Sequence, residues 1–176
     1  MGKLPELSFS KFLFADTKMA IFWLIVRLYV GWQWLEAGFE KITGPASAKW
    51  VGDQAGVAVQ GFLMGALKKT SGAHPDVQDW YAAFINNFAI HHTVAFSYMV
   101  AFGEFFVGVG LILGLFTGLA AFFGGFMNLN YLFAGTVSTN PTLLVLEIPL
   151  VLAWRTAGWL GLDRFVLPKL FNKKRK

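Results

Sequence analysis

Four stretches of the chain are almost entirely apolar, and polar or glycine-containing segments separate them. A helix needs about 20 mostly apolar residues to cross the hydrocarbon core of a membrane. Between Thr93 and Leu146 the only charged residue is Glu104, which leaves room for two spans and a turn. The pattern predicts an all-α, integral membrane four-helix bundle that forms one domain over residues 1–176. The predicted spans are 20–39, 95–115, 118–135 and 142–160.

The segment 40–92 is the one long stretch outside these spans, and its pattern predicts short amphipathic helices. One is predicted within 57–69. In the second, Trp80, Phe84 and Phe88 recur every four residues and form an apolar stripe. Trp and Tyr favour the headgroup region, so the helices either lie on the outer membrane surface or cap the bundle. The pattern leaves both arrangements open.

Composition and charge agree with membrane insertion. Of the 176 residues, 56% are hydrophobic, 17% are aromatic and only 14% are charged, whereas soluble proteins average about 25% charged residues. The net charge of +5 comes mainly from basic residues near the two termini. That placement indicates membrane topology, and no nucleic-acid partner is expected.

The basic residues also predict the orientation of the chain. Lys/Arg-rich ends stay on the cytoplasmic side, so both termini of this multi-pass protein are predicted to be cytoplasmic, in the cell (plasma) membrane. Segment 40–92 is then outside. The basic residues that carry this inference are Lys3, Lys11, Lys18, Lys169, Lys173, Lys174, Arg175 and Lys176.

A competing interpretation treats the first apolar run as a signal peptide with "ASA", 46–48, as its cleavage site. Gln33 and Glu36 interrupt that run, and Glu40 and Lys41 separate it from "ASA". These polar residues favour a retained membrane helix.

Cysteine is absent, which excludes disulfides, zinc–thiolate sites and cysteine-ligated iron–sulfur clusters. The adjacent His91 and His92 point in different directions on a helix, and a bis-histidine haem lacks partners across the bilayer. No haem, iron–sulfur or zinc site, and no other metal site, is therefore expected. Neither a phosphate-binding glycine loop nor a nucleophile elbow is visible.

The first predicted span carries polar residues on two faces. Arg27, Trp34 and Lys41 fall on one face, and Glu36 lies on the opposite side. Ionisable groups within a span usually face the bundle interior and are paired. An ion pair between Arg27 and Glu104 is therefore predicted. It either fixes only the helix register or borders a ligand cavity or proton path.

A second polar group is predicted in the outer half of the bundle. Glu36, Asn128, Asn130 and Glu147 are expected at similar depths, with Trp34 and Tyr131 as aromatic walls. Carboxylates and amides that converge between helices suit a polar-headed, flat or small anionic ligand. Interhelical hydrogen bonding is the alternative use of the same residues.

Three segments together resemble the DoxX/DoxD family, most closely the DoxD-type subunit of thiosulfate:quinone oxidoreductase. They are "RLYVGWQWLEAGFEKITG", 27–44, "GEFFVGVGLILGLFTGLAAFFGGFMNLNYLFAGTVSTNP", 103–141, and "LAWRTAGWLGLDRFVLPKL", 152–170. The resemblance runs from about residue 23 to 170. It implies four membrane helices, which agrees with the independent count of spans.

The resemblance implies quinone as cofactor, oxidation of thiosulfate to tetrathionate, and a smaller DoxA-like partner subunit. On that hypothesis Trp34 and Tyr131 flank the quinone, and Glu104 or Glu147 handles its protons. Glu36 is the third candidate catalytic carboxylate. Arg27 or Lys41 attracts an anionic donor or a quinone oxygen, and Lys41 is better placed for a donor from outside. The candidate ligand-binding residues are Arg27, Trp34, Lys41, Asn128, Asn130 and Tyr131.

A non-enzymatic role competes with this hypothesis, because a chain without cysteine or a haem site has no electron relay of its own. In that case the protein is a membrane subunit that binds quinone, lipid or a partner protein in a respiratory or redox assembly. Membrane lipid is an expected partner, and a homo-oligomer is a further candidate.

Overall fold

A computed structural model describes residues 7–171, which are helical without any strand. Lys3 and the basic run 173–176, used above for orientation, lie outside the described residues. Four helices have bounds near the predicted spans: α2, α5, α6 and α7. The α-helices are α1 Ser8–Ala15, α2 Ala20–Thr43, α3 Val57–Leu67, α4 Asp79–Asn87, α5 Thr93–Leu113, α6 Thr117–Phe133, α7 Asn140–Leu152 and α8 Asp163–Phe171.

The last span is shorter than predicted, because α7 ends at Leu152 and not near residue 160. Beyond it the chain continues in turns. There Thr156 donates a 3.1 Å hydrogen bond to the carbonyl of Phe14, next to the end of α1. Ala153 and Ala157 of this stretch lie in the buried core, against which Leu13 and Phe14 of α1 pack, so the stretch contributes to the core without continuing the helix.

One helical run is by itself long and apolar enough to cross a membrane among residues 7–171. It is Asp79–Leu113, a run of 35 residues that joins α4 to α5 through a 3-10 turn and contains an 18-residue window with a mean hydropathy of 1.8. Helices α6 and α7 have 17 and 13 residues, fewer than the usual span of about 20. By length and composition, one of the four predicted spans is thus a candidate membrane helix among residues 7–171.

Helices α2 and α5 pack antiparallel, and glycines set their register. A Cβ at Gly31 would lie 2.9 Å from Leu111 Cβ, and a Cβ at Gly38 would collide with the backbone of Phe105. On α5, a Cβ at Gly108 would collide with the backbone of Leu35 of α2. Small residues allow helix backbones to approach this closely. The register therefore places the middle of α5 beside the C-terminal half of α2.

The segment between α2 and α5 forms its own apolar cluster against the end of the bundle. Val59 and Leu63 of α3 pack with Tyr81 and Ile85 of α4 and with Ala134 at the end of α6. This arrangement agrees with a cap over the bundle. The buried face of α4 is Tyr81 and Ile85, with Val77 before the helix and Ala89 after it.

The predicted stripe on α4 is thus shifted by one position. Trp80 and Phe88 are 58% and 48% exposed, and Phe84 is half-buried. The four-residue spacing of the larger rings does not select the packed face, because smaller neighbours at the same spacing fit the cap better.

Candidate functional site

A groove of about 1050 Å³ runs between α2, α5 and α6 and beneath the cap. It extends from Trp50 and Tyr81 at the outer end to Leu115 and Phe116 at the α5–α6 turn. Along α6, the distance from Phe116 to Asn130 is about 20 Å at 1.5 Å per residue. Most of the lining is apolar. The charged, amide and hydroxyl side chains in its lining are Gln33, Glu36, Glu40, Lys41, Tyr81, Glu104, Asn130, Tyr131, Thr136, Ser138, Thr139 and Asn140.

Lys41, Glu104 and Tyr131 form a connected polar cluster on the wall of the groove. Lys41 Nζ lies 2.6 Å from Glu104 Oε2, and the Tyr131 hydroxyl donates a 2.6 Å hydrogen bond to Glu104 Oε1. The Glu104 side chain is 3% exposed and that of Lys41 is 20% exposed. Lys41 Nζ also lies 5.0 Å from the ring centroid of Trp50. Each oxygen of this buried carboxylate therefore has a donor, and the cation beside it balances its charge.

A second carboxylate is held by neutral donors. Glu147 is 1% exposed and accepts 2.6 Å hydrogen bonds from Trp34 Nε1 and from Asn128 Nδ2. A Cβ at Gly124 would lie 2.5 Å from Glu147 Oε1, so the absence of a side chain there makes room for the carboxylate. Asn128 Oδ1 is buried with no hydrogen-bond partner among the described residues. Trp34 connects this cluster to the groove, because its side chain also lines the groove.

Replacement of Trp34 by Phe is expected to destabilise the protein by about 1–3 kcal/mol, because one oxygen of a buried carboxylate loses its donor. Trp32→Phe is the matched control, since Trp32 lies on the same helix and is 58% exposed. The control is expected to change stability by about 0.5 kcal/mol or less. Unfolding by SDS in mixed micelles measures the change in stability of both variants. Equal losses in the two variants would show that the Glu147 contact contributes nothing.

Glu36 and Asn130, the other two members of the predicted outer group, line the groove without joining either cluster. Glu36 is exposed. Asn130 accepts a hydrogen bond from the Tyr81 hydroxyl at 3.2 Å and donates one to the carbonyl of Phe126. The predicted outer group is thus divided among two buried clusters and the groove wall. The catalytic and binding roles assigned to these residues stay predictions.

The predicted ion pair between Arg27 and Glu104 is wrong, because Glu104 is paired with Lys41. Arg27 is 1% exposed and donates hydrogen bonds to the carbonyls of Leu111 and Leu160, at 2.9 and 3.0 Å. The prediction placed Arg27 and Glu104 at one depth. In the structure Glu104 lies beside Gly38, which is 11 residues from Arg27, or about 16 Å along the helix.

Asp163 supports the same inner end of the bundle, and sequence reasoning gave it no role. Its carboxylate accepts hydrogen bonds from the backbone N–H groups of Phe116 and Thr117, at 2.6 and 2.9 Å. These groups are unpaired donors at the start of α6. Phe116 has a φ of 50°, in the left-handed region, so the turn before α6 depends on this contact. Arg27 and Asp163 therefore bind the end of α5 and the beginning of α6.

Parts of the cap also line the groove, although the sequence did not predict it. Trp50, Phe62 and Tyr81 lie in the groove wall although they belong to the outer segment. The aromatic content of 40–92 was the available signal, but a stripe of aromatic residues does not show which surface it covers.

Comparison with known proteins identifies a family for most of the chain. A family model described as DoxX matches residues 22–136, which is more than half of the chain, so the protein belongs to the DoxX family. The matched range contains Arg27, the whole Lys41–Glu104–Tyr131 cluster and the cap. No curated protein and no solved structure matches the chain.

Proposed function

We propose that this DoxX-family protein is a multi-pass membrane subunit that binds a quinone in the groove between α2, α5 and α6. As part of a redox assembly, it would link that quinone to oxidation of a small sulfur compound such as thiosulfate. The observation that carries the proposal is the long apolar groove with the Lys41–Glu104–Tyr131 cluster on its wall.

The distribution of exposed apolar side chains supports membrane crossing by α2, α5, α6 and α7. Monomeric soluble proteins rarely expose large continuous apolar patches, yet each of these helices exposes several large apolar residues. They include Ile21, Phe22, Ile25, Trp32, Phe39, Met99, Phe102, Phe106, Leu119, Phe122, Phe123, Phe126, Val145, Ile148 and Leu152.

The contacts at the inner end support cytoplasmic positions for both ends of the chain. Trp23 Nε1 donates to the carbonyl of Leu13, and Thr156 donates to that of Phe14, which holds α1 against the bundle. The N–H of Asp163, the first residue of α8, donates to the carbonyl of Gly114 in the α5–α6 turn. Helices α1 and α8 therefore lie at one end, in agreement with an even number of spans.

The shape and chemistry of the groove fit a quinone. Ligand pockets are typically apolar with a few placed polar groups, and here the apolar part extends for about 20 Å along α6. Phe123 and Phe126 of α6 line it and are about half exposed, so the groove opens sideways toward the lipid. An isoprenoid tail fits this side, while the polar cluster lies at the outer end.

The groups that would contact the quinone head are the Tyr131 hydroxyl and the Lys41 ammonium. The Tyr131 hydroxyl gives its one hydrogen to Glu104 Oε1, so the donor to a quinone oxygen would be the Lys41 ammonium, which Glu104 orients. A bound quinone supplies two-electron, two-proton chemistry. Glu104 and Tyr131 share a 2.6 Å hydrogen bond through which a proton can be held beside the quinone oxygen. Trp34 adds an aromatic surface to the same wall.

The charges around the groove support oxidation of the sulfur anion at a separate place. Two thiosulfate ions form one tetrathionate ion and release two electrons, which a quinone takes up with two protons. Glu104 compensates the charge of Lys41, and the exposed Glu36 and Glu40 make the mouth of the groove acidic. A dianion is repelled there, so the donor would deliver its electrons through a partner such as the implied smaller subunit.

This electrostatic pattern favours a second candidate function, in which the chain binds quinone without catalysing the oxidation by itself. Purified protein alone, given thiosulfate and a benzoquinone with a ten-carbon tail, distinguishes the two. Reduction of the quinone would assign the complete reaction to this chain. Quinone binding without turnover would assign it the role of the quinone-binding subunit.

Replacement of Tyr131 by Phe is expected to weaken binding of the ten-carbon-tailed benzoquinone about 5- to 20-fold, because Glu104 loses the hydrogen bond that holds it, and with it the Lys41 ammonium, beside the quinone oxygen. Tyr98→Phe is the matched control. Its hydroxyl donates to the carbonyl of Val51, it does not line the groove, and its replacement is expected to leave the Kd unchanged. Native mass spectrometry or fluorescence quenching gives the Kd values. Wild-type affinity in Tyr131→Phe would contradict the assignment of this residue, and lack of binding by the wild type would contradict the proposed function.

A further inference from the structure

A separate depression of about 470 Å³ lies at the inner end of the bundle, between the turns after α7 and helix α8. Two arginines, Arg155 and Arg164, line it together with aromatic side chains. The Arg155 guanidinium lies 4.9 Å from the ring centroid of Trp154, and that ring packs 5.7 Å from Phe171. The depression thus combines two cationic groups with an aromatic wall.

The two arginines keep their charge available. Both are exposed, and within residues 7–171 neither forms an ion pair. Asp163 also lines the depression, but it is 2% exposed and its carboxylate accepts hydrogen bonds from the backbone of Phe116 and Thr117. The acidic group at the base is therefore held by the α5–α6 turn and, within residues 7–171, forms no ion pair with either arginine.

We propose that this depression binds the headgroup of an anionic phospholipid. Two free guanidinium groups suit a phosphate. The surroundings favour a lipid as its source, because Leu152, Trp159 and Phe165 nearby are 57%, 40% and 57% exposed. Tryptophan is enriched at the level of the headgroups, and basic pockets on the cytoplasmic side of membrane helices bind anionic lipids. The site does not depend on quinone binding and shares with it only the membrane location.

The test compares phosphatidylglycerol with phosphatidylcholine, titrated into the purified full-length protein in detergent and followed by native mass spectrometry. Wild-type protein is expected to bind phosphatidylglycerol more tightly than phosphatidylcholine. The double variant Arg155→Gln/Arg164→Gln is expected to weaken phosphatidylglycerol binding about 10- to 30-fold. Lys49→Gln/Lys68→Gln, which removes two exposed charges from the outer segment, is the control with the same net charge.

Three results would overturn the proposal: equal binding of the two lipids, equal losses in the arginine and lysine double variants, or displacement of the lipid by an equal concentration of inorganic phosphate. The last would identify a phosphate site in place of a lipid site.

If the arginine variant does not fold, the salt dependence of phosphatidylglycerol binding by the wild-type protein tests the proposal instead. Weaker phosphatidylglycerol binding between about 0.05 and 0.5 M salt supports the site, and unchanged binding overturns it. Quinone affinity, measured separately, stays unaffected by the arginine changes.

Discussion

Replacement of Arg27 by Met is expected to lower the free energy of unfolding by about 3–5 kcal/mol, although Arg27 touches no ligand groove. The guanidinium is 1% exposed and donates to the carbonyls of Leu111, Ile112 and Leu160. Methionine fills similar volume but leaves these buried acceptors without the side-chain donor. It also removes the positive charge near the buried Asp163 carboxylate, which binds the start of α6.

Unfolding in mixed SDS micelles measures this loss, and Lys68→Met is its control because Lys68 is exposed at the end of α3. The control is expected to change stability by about 0.5 kcal/mol or less. Quinone affinity, measured on the folded fraction of Arg27→Met, is expected to match the wild type. A stable Arg27→Met protein with impaired quinone binding would show instead that Arg27 serves the ligand site.

A double-mutant cycle on Lys41 and Glu104 is the second prediction with a large effect. Lys41→Met and Glu104→Gln are each expected to cost about 2–4 kcal/mol, because each leaves a mostly buried charge without its partner. The double variant is expected to cost about 1–3 kcal/mol less than the sum, since it removes both charges of the pair. Strict additivity of the two losses would contradict the 2.6 Å contact between Lys41 and Glu104.

The same cycle with Arg27→Gln in place of Lys41→Met tests the pairing that the sequence suggested. Arg27 and Glu104 lie about 16 Å apart along the helix axis and share no partner. Their losses are therefore expected to add within about 0.5 kcal/mol. A clear coupling energy between Arg27 and Glu104 would mean that α2 and α5 pack in a different register.

Hydrophobic patterning predicted much of the helical framework. The predicted span 95–115 corresponds to α5, Thr93–Leu113, and 118–135 corresponds to α6, Thr117–Phe133. The helix predicted within 57–69 is α3, Val57–Leu67. Apolar periodicity depends on neighbours along the chain, so it can be read without knowledge of the packing. Where packing decided the outcome, as at the end of α7 and on the buried face of α4, the pattern gave the wrong boundary or face.

For the polar residues, too, the sequence predicted one part and packing decided the other. Their positions within the spans indicated that Trp34, Glu104, Asn128, Tyr131 and Glu147 lie inside the bundle, because an unpaired polar group in lipid is costly. Their hydrogen-bond and ion-pair partners depended on how the helices pack. Lys41 was predicted to attract an anionic donor from outside, and its pairing with Glu104 was not predicted.

The sequence by itself therefore determined that the chain is helical, that its long apolar segments carry polar groups, and that several of those groups are buried. The tertiary structure alone decided the pairs. Helix periodicity gives the face of a residue and its depth to within a turn, whereas a 2.6 Å contact depends on the register between two helices. Here that register follows from the close approach of α2 and α5 at Gly31, Gly38 and Gly108, which brings Glu104 beside Lys41 and leaves Arg27 at the other end of the bundle.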